Sequence, residues 1–270
     1  MKQQKTPPSQ VDAPAPAKAP SVFLALTELP RALAELSAFG LVAPMLAKAP
    51  RGDGHPVLVL PGFGTTDTAM ITLRHYLTKL GYEAHAWELG RNLGPKAIGD
   101  EGEKLVARLH AVHEQTGKRV SIVGWSLGGM MARQLSRRAP NLVRQVITLG
   151  SPFAGSPRAT NVWRAYQALT GERIDSEGVQ SQLRESAAPP PVPSTSIFSR
   201  ADGVVAWQNC LEPAAPETDN IEVHGSHCGL GVNPAVLYAI ADRLAQADGD
   251  WHPFERTGLK AMVYPSAGHA

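Results

Sequence analysis

Apolar residues along this chain follow two rhythms that take turns: short continuous runs, and stripes spaced three to four apart. The runs His55 to Leu60, Glu83 to Trp87, Val120 to Gly124, Val143 to Leu149, Thr195 to Arg200 and Ile221 to Val223 predict strands. Between the first two, Asp67 to Leu80 carries Met70, Leu73, Leu77 and Leu80 on one stripe and ends at Gly81, a good helix stop. Asp100 and Glu103 have capping-box spacing for a helix that stops at Gly117. Past Ser126 a helical pattern runs through Leu127, Met131 and Leu135, with Arg137 and Arg138 in its last turn and Pro140 beyond. Asn233-Pro234 is an N-cap and first-turn pair for a final helix to about Gln246. Strands alternating with helices predict an α/β fold, with a mainly parallel sheet covered on both faces.

The alternation stops between Ser156 and Pro193, where Trp163, Tyr166, Leu169 and a triple proline (189–191) predict a cap at about 156–193 over the sheet's carboxyl edge. Residues 1–20, rich in Pro, Ala, Lys and Gln, predict a disordered tail. Lys2 and Lys5 look like the start of a signal peptide, but Pro7, Pro8 and Asp12 follow, so a cytoplasmic protein is expected. Residues 21–50 predict a helical arm of two short helices, interrupted at Pro30 and closed near Pro44. Its Leu26, Leu29, Leu33 and Leu36 repeat at helical spacing and are expected to pack on the domain. An interfacial anchor that touches a membrane is the alternative reading of the arm, which a polar face with so little basic charge does not favour. The main domain spans 51–250, and the extension 251–270 has no usable periodicity.

Composition narrows the classes. Hydrophobic content of 43% and charged content of 19% over 270 residues are ordinary for a globular enzyme with a real core. A net charge of +2 makes no case for nucleic acid. Cys210 and Cys228 are too few for a disulfide scaffold and lack metal-site spacing. His110 and His113 lie three apart on a helix with no third ligand after them, which predicts a solvated face rather than a metal pair. No run of 18 uncharged apolar residues occurs, so no membrane span is expected.

The chemistry collects at strand ends. Gly62-Phe63, Ser126, Asp202 and His227 each follow a predicted strand, and in an open parallel sheet those loops share one edge. Ser126 sits in Gly124-Trp-Ser126-Leu-Gly128-Gly129, a strand-turn-helix corner whose flanking glycines allow a sharp turn. A serine hydroxyl needs a base within hydrogen-bonding reach to act as a nucleophile. His227, in the Gly225-Ser-His-Cys-Gly229 turn, is the candidate, since a near-neutral imidazole can take the proton and return it. His224, within or ending a strand, is expected to pack or face solvent. Asp202 would fix the imidazole's tautomer, with Asp219 or Glu222 as substitutes. The amides of Phe63 and Leu127 would stabilise an oxyanion. The cap, with Phe63, Leu127, Phe153 and Trp163, predicts an apolar acyl pocket. Cys210 and Cys228 lie beside the acid and base loops, either joined by a disulfide or, in a reducing compartment, packed as two thiols. Neither occupies an elbow, so neither is read as the nucleophile.

Pro61-Gly-Phe, Gly124-Trp-Ser-Leu-Gly-Gly129, Gly150-Ser-Pro-Phe, Ser199-Arg-Ala-Asp-Gly203 and Gly225-Ser-His-Cys-Gly-Leu230 together resemble the α/β-hydrolase superfamily, and more narrowly its bacterial lipase- and esterase-like members. Many lipases have His-Gly where this chain has Pro61-Gly62, and a His where it has Trp125. The resemblance implies an α/β-hydrolase fold, Ser126, Asp202 and His227 as triad, and Phe63 and Leu127 at the oxyanion hole. The expected activity is hydrolysis of a small-molecule carboxylic ester with an apolar acyl group, through an acyl-enzyme, with no metal or organic cofactor. A thioesterase or acyltransferase using the same triad, or a non-catalytic binding domain, remain the alternatives.

Overall fold

The computed structural model describes residues 17–265. The stretch 1–16 of the expected tail, and residues 266–270, lie outside the described residues. In chain order come α1 (Val22–Leu26), α2 (Glu28–Leu46), β1 (Pro56–Leu60), α3 (Ile71–Leu80) and β2 (Glu83–Ala86). The centre holds α4 (Pro95–Ile98), α5 (Glu103–Thr116), β3 (Val120–Trp125), α6 (Leu127–Arg138) and β4 (Val143–Leu149). The remainder is α7 (Trp163–Thr170), α8 (Glu177–Ala187), β5 (Ser194–Phe198), β6 (Thr218–Glu222), α9 (Pro234–Leu244) and α10 (Lys260–Val263).

The strands pair in the order β2-β1-β3-β4-β5-β6, all parallel. Every residue of β1, β4 and β5 is buried, as continuous apolar runs require when helices cover both faces. One face packs Val59, Ile147 and Ile197 against Leu73 and Leu77 of α3 and Ile240 of α9. The other packs Leu58 and Ile122 against Leu109 of α5 and Leu135 of α6. Strand order reverses between β1 and β3, so a crevice opens beyond their carboxyl ends, the place where such sheets bind ligands.

Several boundaries depart from expectation, each for a local reason. The second strand stops at Ala86 because the amides of Trp87 and Glu88 turn to the Asp67 carboxylate, at 3.0 and 3.2 Å. The helix expected to open at an Asp100 capping box begins at Glu103, and Gly102 in a left-handed conformation (φ 69°) takes the cap position with no side-chain bond. The arm breaks at Thr27 instead of Pro30. Pro30 falls in the first turn of α2, where its missing N–H has no helical partner to lose.

The arm also faces the opposite way from its expected orientation. Leu26, Leu29 and Leu33 are 76%, 69% and 65% exposed, whereas Glu28 is 4% exposed. Phe39, Val42 and Leu46 make the apolar contact with the core, and the carboxylates of Glu28 and Glu35 point at the domain. Main-chain amides on the loops beneath need strong acceptors, and a leucine stripe has none to offer. By length and composition alone the 19-residue α2 is apolar enough to cross a membrane, although Glu28, Arg31 and Glu35 interrupt its apolar run.

Between β4 and β5 the chain forms α7 and α8. Their return to the sheet is pinned to α6, where Arg133 donates to the carbonyls of Ser186 and Ala188 (both 2.8 Å) and Arg137 to that of Pro189 (3.1 Å). The Arg133 guanidinium also pairs with Glu212, both side chains being fully buried.

Candidate active site

Ser126 caps α6 with φ 54° and ψ −120°, one of two non-glycine residues with positive φ among those described. That conformation costs on the order of 1–3 kcal/mol and persists only where the surroundings enforce it. The Ser126 amide donates to Leu149 (2.9 Å), and the three glycines around it have no room for a side chain. A Cβ on Gly124 would lie 2.4 Å from the Gly128 oxygen, one on Gly128 2.6 Å from the Leu60 oxygen, and one on Gly129 2.0 Å from Ser151 Oγ. Close approach of α6 to the strand ends, rather than loop freedom, explains this glycine pattern.

Beside the elbow, His227 Nδ1 lies 2.6 Å from Asp202 Oδ2, both residues buried. The other Asp202 oxygen accepts the amides of Val204 and Val205 at 2.8 and 2.7 Å, which fixes the carboxylate's orientation. Burial opposes charging the His227 imidazole, but the Asp202 carboxylate and then Glu28 outweigh it and hold its pKa above the ordinary 6.5. The substitute acids are engaged elsewhere: Asp219 accepts the Phe254 amide (2.7 Å), and Glu222 pairs with Arg200 (3.0 Å). His224 is exposed. Among the described residues Ser126 Oγ makes no hydrogen bond, and catalytic contacts of this kind often close only around substrate.

The amides of Phe63 and Leu127 likewise donate to nothing among the described residues. Phe63, Ser126 and Leu127 line one open cavity, together with Met130, Trp163 and Tyr166. Its walls are mainly apolar, and it follows α6 from Ser126 to Arg138 beneath α7 and α8. Phe153 is not part of it. That ring is fully buried under the Arg133 guanidinium, 3.8 Å from its centroid, so its expected place in the acyl pocket is corrected.

Several supporting residues escaped the sequence reading. Asn92, fully buried, donates to the Pro61 carbonyl (2.7 Å), and its own carbonyl accepts from Gly64 (2.7 Å), which sets the corner carrying Phe63. Trp125 donates from its indole to the His227 carbonyl (3.0 Å), linking the serine elbow to the histidine loop. A Cβ on Gly62 would meet the Trp125 ring at 2.8 Å, so the Pro61-Gly62 and Trp125 departures noted in the sequence pack against each other. Ser199 Oγ donates to the Gly225 carbonyl (2.7 Å) and joins the acid loop to the base loop. Nothing in the spacing of Asn92 or Ser199 marks them; their partners are 31 and 26 residues away.

Both cysteines are free thiols. Burial first, then Asp202, pushes the Cys210 thiol well up; burial and Glu28 push Cys228 up to about 12. Neither would be a thiolate at neutral pH. A second Ser-His-Asp chain exists, with His55 bonded to Ser121 (2.8 Å) and Asp53 (2.5 Å). Its serine is fully buried within β3, away from the strands' carboxyl edge, so that chain is structural.

Comparison with known proteins agrees with this architecture. The chain is 29% identical over 121 residues to a pimeloyl-[acyl-carrier protein] methyl ester esterase of Shewanella sp. (strain MR-7), covering 44% of each. It is 28% identical over 109 residues to a triacylglycerol lipase of Pseudarthrobacter phenanthrenivorans, covering 38% of this chain and 34% of that one. The match thus spans less than half the length of either relative. Among solved structures, Aspergillus fumigatus lipase B superposes with a TM-score of 0.57 at 18% identity, over 74% of this chain and 54% of that one. Bacillus licheniformis lipase BlEst2 gives 0.54 at 17% identity, over 74% and 95%. At such identities these two establish the fold alone. A family profile described as alpha/beta hydrolase fold matches residues 42–190, more than half the chain and including the Ser126 elbow. With its parallel six-stranded sheet, strained serine corner and two helices between β4 and β5, the chain belongs to the α/β-hydrolase-fold family.

Proposed function

We propose that this protein is a serine carboxylic-ester hydrolase whose substrate carries an apolar acyl group. The observation that carries the reading is a strained Ser126 at the mouth of an apolar cavity, flanked by two unbonded amides and a buried His227–Asp202 pair. The named esterase and lipase relatives support the same reaction class.

In the first half-reaction His227 Nε2 takes the Ser126 proton as Oγ attacks the ester carbonyl carbon. The carbonyl electron pair moves onto oxygen, where the Phe63 and Leu127 amides receive it; one such donor is worth about 3–4 kcal/mol to the transition state. Collapse breaks the carbon–oxygen bond, and the leaving alcohol takes its proton from His227. Water then attacks the acyl-enzyme with the same histidine as base, releasing the acid and restoring Ser126. Asp202 stays a carboxylate throughout and stabilises the imidazolium.

Ser126→Ala should lower kcat against a panel of p-nitrophenyl esters by on the order of 10⁶ if the three residues act as a unit. A fluorophosphonate probe should label the wild type at Ser126 and leave the variant unlabelled. Ester turnover retained in the variant would end the proposal.

A further inference from the structure

The inward face of the arm grips the two loops that carry the candidate acid and base. Glu28 Oε1 accepts the amide of Gly203, next to Asp202, and Oε2 accepts the amide of Cys228, next to His227, both at 2.8 Å. One turn pair further on, Glu35 Oε1 accepts the Ser226 amide at 2.7 Å and Oε2 the Asn233 side-chain amide at 2.9 Å. Arg31 completes the grip by donating to the Ala201 carbonyl and to Glu28, both at 2.7 Å. Every residue adjoining Asp202 or His227 in sequence is thus held by an arm side chain at its amide or carbonyl. The loop glycines make room for this: a Cβ on Gly203 would lie 2.4 Å from the backbone of Leu24, and one on Gly229 2.3 Å from Glu35 Oε2.

We propose that Glu28 and Glu35 are positioning residues for the triad, two carboxylates from outside the sheet that set the Asp202 and His227 loops in register with Ser126. This role rests on the triad reading above. A carboxylate accepting two main-chain amides makes charge-assisted bonds, stronger and more directional than those of a neutral acceptor. By spanning both loops, Glu28 fixes the separation of acid from base. Displacement of either loop by about 1 Å is enough to cost on the order of 10²-fold in rate.

Glu28 also acts on the imidazole electrostatically. The groups facing His227 are Asp202 with Cys210 behind it, Glu28 with its partner Arg31, Glu35 across the Ser226 amide, and the neighbouring Cys228 thiol. Among the arm's carboxylates, Glu28 adds to the Asp202 effect in raising the His227 pKa.

The test compares full-length wild type with Glu28→Ala, Glu28→Gln, Glu35→Ala, Glu35→Gln and Ser126→Ala, using p-nitrophenyl butyrate turnover across pH and NMR titration of the His227 imidazole. The alanine variants should lose about 10- to 100-fold in kcat with KM within about twofold. The glutamine variants, keeping one acceptor oxygen, should recover part of that loss. Glu28→Gln should also move both the acid limb and the imidazole titration to lower pH, and Glu35→Gln should leave them in place. If an alanine variant does not fold, the isosteric glutamine pair decides through the titration, which needs no turnover. Unchanged kcat and unchanged His227 titration in folded Glu28 variants would overturn the arm's role alone. Ester turnover surviving in Ser126→Ala would overturn the triad reading instead.

Discussion

At Ser126 the backbone is strained because three neighbouring glycines let α6 sit against the ends of β1 and β3, and nothing larger would fit. The G-x-S-x-G-G spacing was legible as such a corner. So was the pairing of Asp202 with His227, since both follow strands and the sheet topology carries strand ends to one edge. Phe153 was not: a strand-end aromatic can point up into the crevice or down beneath it, and here Arg133 draws the ring under its guanidinium. The raised His227 pKa has consequences of opposite sign for rate and stability. As the proposed base, His227 must be neutral to act, so the acid limb of kcat/KM should lie above pH 6.5. The charged imidazole is favoured in the fold, so its stabilisation is full below the unfolded pKa of about 6.5 and is lost as pH rises through the folded value. A pH–rate profile with its acid limb at or below 6.5 would contradict this.

Among the elements, α2 departs furthest from what its sequence suggests. A helical wheel separates leucines from charges cleanly but does not say which side faces inward. Burying the leucines would gain transfer free energy, whereas burying Glu28 and Glu35 satisfies amides that would otherwise be buried without a partner, at about 1–3 kcal/mol each. The loops offering those amides lie some 170 to 200 residues away, so the deciding fact is invisible within the arm. Leu33→Lys should therefore change the urea midpoint by an amount worth no more than about 0.5 kcal/mol, as at any exposed site. A loss of several kcal/mol would mean that this leucine faces the core after all. The end of the strand-helix alternation after β4 was readable in the sequence, and α7 and α8 occupy that interval before β5.

For the molecule as a whole, Arg133 joins three layers: α6, the return from α8 to the sheet, and the Glu212 loop beyond β5. Arg133→Met would leave Glu212 as an uncompensated buried charge, and urea denaturation should show a loss of about 3–5 kcal/mol. A loss under about 1 kcal/mol would mean that Glu212 finds water or another partner. Local patterning was sufficient for the alternation, the parallel sheet and the edge where the loops after its strands gather, since those follow from apolar period, turn residues and the handedness of βαβ units. Orientation of the arm, the fate of Phe153, the Asn92 brace under Phe63 and the carboxylate grip on the Asp202 and His227 loops depend on contacts between residues far apart in the chain. Such contacts arise only once the sheet has closed, because which buried amides lack a partner, and which side chain can reach them, is a property of the assembled surface and not of any one segment.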